Sequence, residues 1–286
     1  MKQYDIALLG GDARTAYMLP YLLGKGYRVI CYGTTKLCGM EHRQIEAKTL
    51  REAVEASRCI VGGIPFWKGK MLSCCRDLPD LQQEELYHCL RKGHIVFGGI
   101  LPEDFIAFCK EKGISCYDFM KNEPYVIRNA IATAEGSILE ALQHQPTNIH
   151  GSRSLVLGYG RCGSVLAQKL RGMGANVTVC SRCGRELAYA DSCGMRIMQM
   201  KDLERSIAIY EYVYNTIPAV VLSKNILEKM RKDVLVIDIA SAPGGVEDEA
   251  ARQLGVKVLH CYGLPGKYSP QVSAEGLADY VIQKME

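Results

Sequence analysis

The chain has 286 residues, enough for two domains, and 48% hydrophobic against 23% charged residues marks a globular protein able to bury two cores. Its formal charge of +4 is the balance of 35 basic and 31 acidic residues spread without a basic run, which argues against a nucleic-acid partner and leaves small anions open. The thirteen cysteines are an odd number scattered over both halves of a chain too large to need disulfide staples. They predict a reducing, cytoplasmic setting, and neither a leader nor a membrane span is read from the apolar runs.

The amino-terminal region reads as alternating strands and helices. Ile6 to Leu9 is a short apolar strand, Gly10 to Arg14 a turn, and an apolar helix runs through Leu23 to a strand at Tyr27 to Tyr32. That turn lacks dinucleotide spacing. Asp12 reads as a helix cap, and Arg14 sits in the first helical turn at a strand's carboxyl end, where open α/β sheets receive ligands. A helix ending at Ser57, strands at Cys59 to Val61, His94 to Phe97 and Ile114 to Tyr117, and a helix over Gln83 to Arg91 follow. Pro102 opens another helix. Short apolar strands separated by helices predict a parallel, flavodoxin-like sheet. Gly62 to Leu81, with Trp67, Lys68 and Lys70, is the least regular stretch and reads as either a mobile loop or a surface excursion.

A helix over Asn129 to His144, rich in small and apolar residues and ended by Pro146, reads as the linker between domains. Glu135 in that helix is a candidate general acid or base, with a hinge carboxylate as the alternative reading. His150 lies in the turn after it.

The strongest signal comes next. Leu155 to Leu157 form a strand; Gly158, Tyr159, Gly160, Arg161, Cys162 and Gly163 form a G-x-G-x-x-G turn; an apolar-periodic helix closes at Gly174; and Val177 to Cys180 form a second strand. The three glycines serve different ends, Gly158 the turn, Gly160 the approach of a pyrophosphate and Gly163 helix–strand packing. The phosphates would sit at the helix amino terminus. NAD-specific units end the second strand with Asp or Glu about 20 residues after the first glycine. Here Ser181 and Arg182 stand there, with no carboxylate before Glu186. A hydroxyl and a guanidinium suit a 2′-phosphate, so the reading is NADP, with NAD as the alternative.

Beyond Arg182, strands are read at Arg196 to Met198, Tyr212 to Tyr214, Val234 to Ile239 and Val256 to Leu259, and helices at Leu187 to Ser192 and Ser223 to Met230. Three loops after strand ends line the expected cofactor and substrate region: Thr216, Ile217 and Pro218; Ala240 and Ser241; Gly263 and Leu264. Cys180 and Cys183 form a C-x-x-C without a second pair, and no metal site is read. Ala274 to Lys284 forms an amphipathic helix crossing back to the first domain. The expected architecture is two α/β parallel-sheet domains, Rossmann-like and flavodoxin-like, with a cleft between them and crossing helices. The boundaries are residues 1–128 for the substrate domain, 129–150 for the linker helix, 151–270 for the NADP domain and 271–286 for the returning helix.

With those loops in place, the sequence resembles the dipicolinate synthase A-subunit family of spore-forming Firmicutes over nearly its whole length. The likeness rests on Ala132 to Gly136, Gln143 and His144, Ile149 to Ser152, the glycine turn through Val177, Asn215 to Pro218, Asp238 to Gly245 and Gly263 to Gly266. More distantly it is similar to 2-hydroxyacid dehydrogenases and S-adenosylhomocysteine hydrolase. Alanine at 132 and 242 departs from the family's usual proline and arginine; the second change removes a cationic contact to a carboxylate. The resemblance implies NADP-dependent oxidation of a dihydrodipicolinate to pyridine-2,6-dicarboxylate in the mother-cell cytoplasm during sporulation. It also implies a partner B subunit, with room for a homo-oligomer. On that reading Arg14, Arg128 and Lys267 are candidate binders of the dicarboxylate substrate, and Glu135 or His150 the proton acceptor. The alternatives are another NAD(P)-dependent oxidoreductase of the 2-hydroxyacid dehydrogenase type and a nucleotide-binding regulatory subunit.

Overall fold

A computed structural model describes residues 3–37, 39 and 43–286. The chain divides into two compact units, one built from residues up to Val126 together with Ser269–Glu286, the other from Ile127–Tyr268.

In the first unit, β1 (Tyr4–Leu9), α1 (Ala13–Gly24), β2 (Val29–Tyr32), α2 (Leu50–Ala56) and β3 (Ser57–Val61) are followed by a small hairpin of β4 (Trp67–Lys68) and β5 (Met71–Leu72). Then come α3 (Gln83–Cys89), β6 (Ile95–Gly98), α4 (Glu103–Glu111) and β7 (Ser115–Asp118). The main sheet is parallel in the order β2-β1-β3-β6-β7, the flavodoxin-like arrangement. Its central strands are apolar on both faces because helices cover both: Ile6, Ala7, Leu8 and Leu9 are fully buried. Ile6 and Leu8 face one core with Met18 and Leu22; Ala7 and Leu9 face the other with Val54 and Phe105.

The second unit takes in most of α5 (Glu123–His144), then β8 (Arg153–Leu157), α6 (Arg161–Gly172), β9 (Asn176–Ser181), α7 (Gly184–Ser192) and β10 (Arg196–Gln199). It continues through α8 (Leu203–Ser206), β11 (Tyr212–Asn215), α9 (Lys224–Leu227), β12 (Leu235–Asp238), α10 (Asp248–Leu254), β13 (Lys257–His260) and α11 (Leu264–Tyr268). All six strands are parallel, in the order β10-β9-β8-β11-β12-β13. That is the dinucleotide-fold order, with the reversal of direction falling at β8 and β11. The last helix, α12 (Pro270–Met285), belongs to the first unit, where its Ala274, Leu277 and Val281 pack into the core with α1 residues, and Tyr21 donates to Asp279 at 2.6 Å.

The stretch from Gly62 to Leu81 is neither a loose excursion nor free of structure. Phe66 is fully buried against Gly62 and Gly98 and stacks on Phe105 at 5.3 Å, and the Gly11 amide donates to the Ser73 carbonyl at 2.6 Å. Added side chains at Gly62 and Gly98 would come within 2.4 and 2.1 Å of the Phe66 ring. Three short helices, α8, α10 and α11, go unread in the sequence because four to seven residues carry too little periodicity.

Candidate functional site

The glycine turn after β8 folds as its spacing predicts, and each glycine is explained differently. Gly158 has φ +87, a left-handed conformation that a side chain would strain, and a Cβ there would lie 2.6 Å from Thr216 Oγ1. A Cβ on Gly163 would meet the Gly158 carbonyl oxygen at 2.3 Å, so helix α6 sits against the turn only because that residue has no side chain. Gly160 differs from both. Its φ of −77 suits any residue, and among the described residues no atom beyond Gly160 and its chain neighbours lies within 4 Å of where a Cβ would stand. The bare backbone keeps open the approach to the start of α6, whose N-cap, Gly160, supplies no side-chain cap. Free first-turn amides and the positive end of a helix dipole are the general features by which helix amino termini receive anions.

Neighbouring strand ends are tied together by a buried polar hub. Asn215 and Asp238, both fully buried, close β11 and β12, and Asn215 Nδ2 donates to Asp238 Oδ1 at 2.8 Å. Asn215 also brackets the Ile217 backbone, donating to its carbonyl at 3.0 Å and accepting its N–H at 3.1 Å. Asp238 accepts the amides of Ala240 at 3.2 Å and Gly245 at 3.0 Å, and His260 Nδ1 lies 3.5 Å from it. The His260 ring reaches Asp248 through Nε2 at 2.8 Å and stacks on Tyr262. Thr216 in turn donates through its hydroxyl to the Leu157 carbonyl at 2.9 Å, seating the Asn215 to Pro218 loop over Gly158. The loops carrying Thr216, Ile217 and Pro218 and Ala240 and Ser241 thus follow adjacent strand ends at the carboxyl edge of one sheet, with Ile217 pinned by Asn215, Ala240 by Asp238 and Thr216 by the Leu157 carbonyl. Sequence reasoning missed the hub; its signal is a polar residue ending each of two otherwise apolar strands.

Gly263, at φ +66, leads into α11, and Leu264 packs on α5 where a side chain at Gly136 would stand 3.0 Å from it. Cys162, in the first turn of α6, has its thiol pushed up by burial. Tyr159 buries its ring and donates its backbone N–H to Glu186 at 3.3 Å.

Ser181 and Arg182 occupy the end of β9 as read, yet they behave differently. Ser181 is 3% exposed and gives its only proton to Glu186 Oε2 at 2.5 Å while accepting the Cys183 amide at 3.0 Å. Arg182 is exposed. Glu186, set aside on sequence spacing, comes back because α7 starts at Gly184 and its first turn carries the carboxylate toward the strand end.

The candidate substrate and proton-transfer residues are placed as follows. Arg14 is 5% exposed; its guanidinium grips Asp12 through Nε and Nη2 and donates to the Ile64 carbonyl at 2.9 Å, while Asp12 caps α1. Arg128 is exposed on α5. Lys267 donates to Glu140 at 2.6 Å, a buried carboxylate that also accepts the Tyr268 hydroxyl at 2.6 Å. Bonds from Lys267 and then Tyr268 hold Glu140 below its ordinary range, and Glu140 in turn raises Lys267. Glu135 is exposed and accepts from Lys169 on α6 at 2.8 Å. His150 lies in the turn before β8, its ring against Gly174, which precedes β9. That is the amino edge of the sheet, a strand's length from the glycine turn. Among the described residues no group of His, Cys, Asp and Glu has the makings of a metal site, and no helix is long and apolar enough to cross a membrane.

Comparison with known proteins assigns this geometry. Residues 5–120 match the N-terminal domain of the dipicolinate synthase A subunit, and residues 117–264 the NAD binding domain of D-isomer specific 2-hydroxyacid dehydrogenases. The dipicolinate synthase A subunit of Bacillus subtilis is 29% identical, the match covering 98% of this chain and 95% of the relative. The solved structure of the Bacillus halodurans A subunit of dipicolinate synthase has a TM-score of 0.89 at 27% identity, over 99% of this chain and 98% of that one. The solved Bacillus subtilis protein follows at a TM-score of 0.85 and 25% identity, over 100% and 97%. A nicotinamide-dinucleotide-dependent oxidoreductase is the class these matches and the glycine turn support together. Along its whole length the chain is similar to dipicolinate synthase A subunits, and through residues 117–264 it belongs to the D-isomer specific 2-hydroxyacid dehydrogenase NAD binding domain family.

Proposed function

We propose that this protein is a dipicolinate synthase A subunit that oxidises dihydrodipicolinate to dipicolinate with NADP. The observation that carries the reading is likeness to the dipicolinate synthase A subunit along almost the whole chain, joined to a dinucleotide turn whose Gly160 is left open toward the start of α6. Arg182 at the end of β9 is the residue proposed to favour the 2′-phosphate.

The bound cofactor supplies the hydride acceptor. The chain's own residues have three roles. The first turn of α6 and the loops pinned by Asn215 and Asp238 fix where the dinucleotide lies, so that little reorganisation is needed when substrate arrives. Arg128 and Lys267, both at the surface, are proposed to take the two carboxylates; Lys267 must share its charge with Glu140. Glu135 is the proposed proton acceptor, held by Lys169, and the position of His150 at the amino edge of the sheet leaves that role to Glu135. Loss of a hydride and a proton yields an aromatic ring, so binding and alignment are the main demands on the protein. A partner B subunit, the sporulating mother cell as the setting and assembly into a homo-oligomer belong to the same proposal.

Purified chain, with and without a B subunit, is incubated with enzymatically generated dihydrodipicolinate precursor and NADP. Dipicolinate formed by this chain alone supports the reading; no turnover in either mixture overturns it. Arg182→Ala is expected to weaken NADP by about tenfold or more and NAD far less, since a charge-assisted contact is worth about 1.5–3 kcal/mol. Equal losses would reject the role of Arg182.

A further inference from the structure

We propose that Glu186 is a cofactor-selectivity residue, whose carboxylate binds the adenosine ribose hydroxyls of NAD and opposes the 2′-phosphate of NADP. The proposal rests on the dinucleotide reading of the glycine turn and adds a second determinant beside Arg182.

In this fold the ribose is read by a carboxylate at the end of the second strand. Cys180, Ser181 and Arg182 offer none. The structure supplies one from the next element. Two residues after β9 the chain enters α7, and the first turn of that helix folds Glu186 back onto the strand end. Oε2 accepts the Ser181 hydroxyl at 2.5 Å and the Tyr159 amide at 3.3 Å, so the carboxylate touches both the end of β9 and the middle of the G-x-G turn. Both bonds fall on Oε2, and Oε1 is the oxygen proposed to take the ribose hydroxyls.

The same bonds change what Ser181 can do. Its one proton is committed to Glu186, and its oxygen accepts the Cys183 amide, so it has no second proton for a phosphate. The exposed Arg182 then meets the 2′-phosphate without Ser181, and against a carboxylate one turn away. A dianionic phosphate beside an ionised carboxylate is disfavoured, whereas a neutral ribose hydroxyl is a hydrogen-bond donor to it. Glu186 also borders a cavity of about 480 Å³ with Tyr159, Ser164, Gln168, Cys183 and Tyr189. That space lets the carboxylate withdraw when NADP binds, so NADP is penalised and not barred.

The test is direct binding of NADP⁺ and NAD⁺ to the intact chain by titration calorimetry, without substrate, for the wild type, Glu186→Gln and Arg182→Ala. Glutamine keeps a carbonyl oxygen for Ser181 and Tyr159 while removing the charge, and thermal denaturation checks that the fold is kept. Glu186→Gln is expected to tighten NADP⁺ about tenfold and to weaken NAD⁺ a few-fold, a change in ratio of more than about tenfold. A ratio unchanged within about twofold overturns the proposal, whether both affinities fall together, as for a structural clamp, or neither moves. If Glu186→Gln shifts the ratio while Arg182→Ala leaves NADP⁺ unaffected, Glu186 stands and the NADP role of Arg182 falls. A wild-type chain that binds neither dinucleotide overturns both.

Discussion

Substituting the three turn glycines one at a time separates packing from ligand approach, and Gly160→Ala is the decisive change. At Gly163 the new methyl would lie 2.3 Å from the Gly158 carbonyl oxygen. Ordinary C···O contacts begin near 3.3 Å, so α6 must move by about 1 Å. Overpacking of that kind costs about 1–3 kcal/mol, and a backbone obstacle puts Gly163→Ala toward the upper end. At Gly160 no atom of the described residues beyond its own chain neighbours is within 4 Å of the methyl, and φ is −77. Alanine there loses less chain entropy on folding, worth about 0.4–1 kcal/mol, and caps a helix less well than glycine by about the same amount. Stability should therefore change by less than about 0.5 kcal/mol. Binding should not be spared: a methyl at the start of α6 keeps a pyrophosphate from one or two amides, each worth about 1.5–3 kcal/mol to a charged group, or a tenfold to hundredfold rise in Kd. Urea denaturation gives the stabilities and calorimetric titration with NADP⁺ and NAD⁺ the affinities. A Gly160→Ala chain that is fully stable and binds both dinucleotides as tightly as the wild type would refute the assignment of the phosphates to this helix end.

Other outcomes follow from the same geometry. Phe66→Ala should destabilise the first unit by about 3–5 kcal/mol in denaturant melts, because a fully buried ring stacked on Phe105 leaves a cavity that Gly62 and Gly98 have no side chains to fill. Arg14→Met should cost about 1–2 kcal/mol in the same assay, since it removes the guanidinium from the Ile64 carbonyl and from an Asp12 carboxylate that is itself 35% exposed and keeps the Arg14 amide; an unchanged stability would mean that solvent replaces both bonds. Glu140 titrates below its ordinary value of 4.5 because Lys267 and Tyr268 donate to it. Its contribution to stability is therefore complete above that value and lost as the pH falls through the depressed one, so Glu140→Gln should flatten the acid limb of a stability–pH curve, and an unchanged limb would rule this out.

Elements with strong periodicity are legible, as is the parallel α/β class of both units, because apolar runs such as Ile6 to Leu9 and Leu155 to Leu157 read as strands buried on both faces; the strand orders come from the structure. The glycine turn was legible for the same reason that it folds: φ at Gly158 and the contact at Gly163 are demands of local geometry. What escaped depends on contacts between residues far apart in sequence or folded back by a helix. The Asn215–Asp238 bond links strands 23 positions apart, and Glu186 looked too distant from Gly158 until α7 returned it. Ser181 was read as a free hydroxyl for the same reason. The stretch around Phe66 looked irregular because its order comes from a buried ring and not from a repeating pattern.

The last helix has a consequence for the order in which the protein is made. α12 fills the core beside α1, with Ala274, Leu277, Ala278 and Val281 all buried, so the first unit is assembled from the two ends of the chain. The second unit is one continuous segment, Ile127–Tyr268. On the ribosome, then, the dinucleotide fold has all of its residues before the flavodoxin-like one does, although its strands are synthesised later. Until Pro270–Met285 emerges, Met18, Leu19 and Leu22 lack part of their cover, and the nascent chain carries an exposed apolar strip.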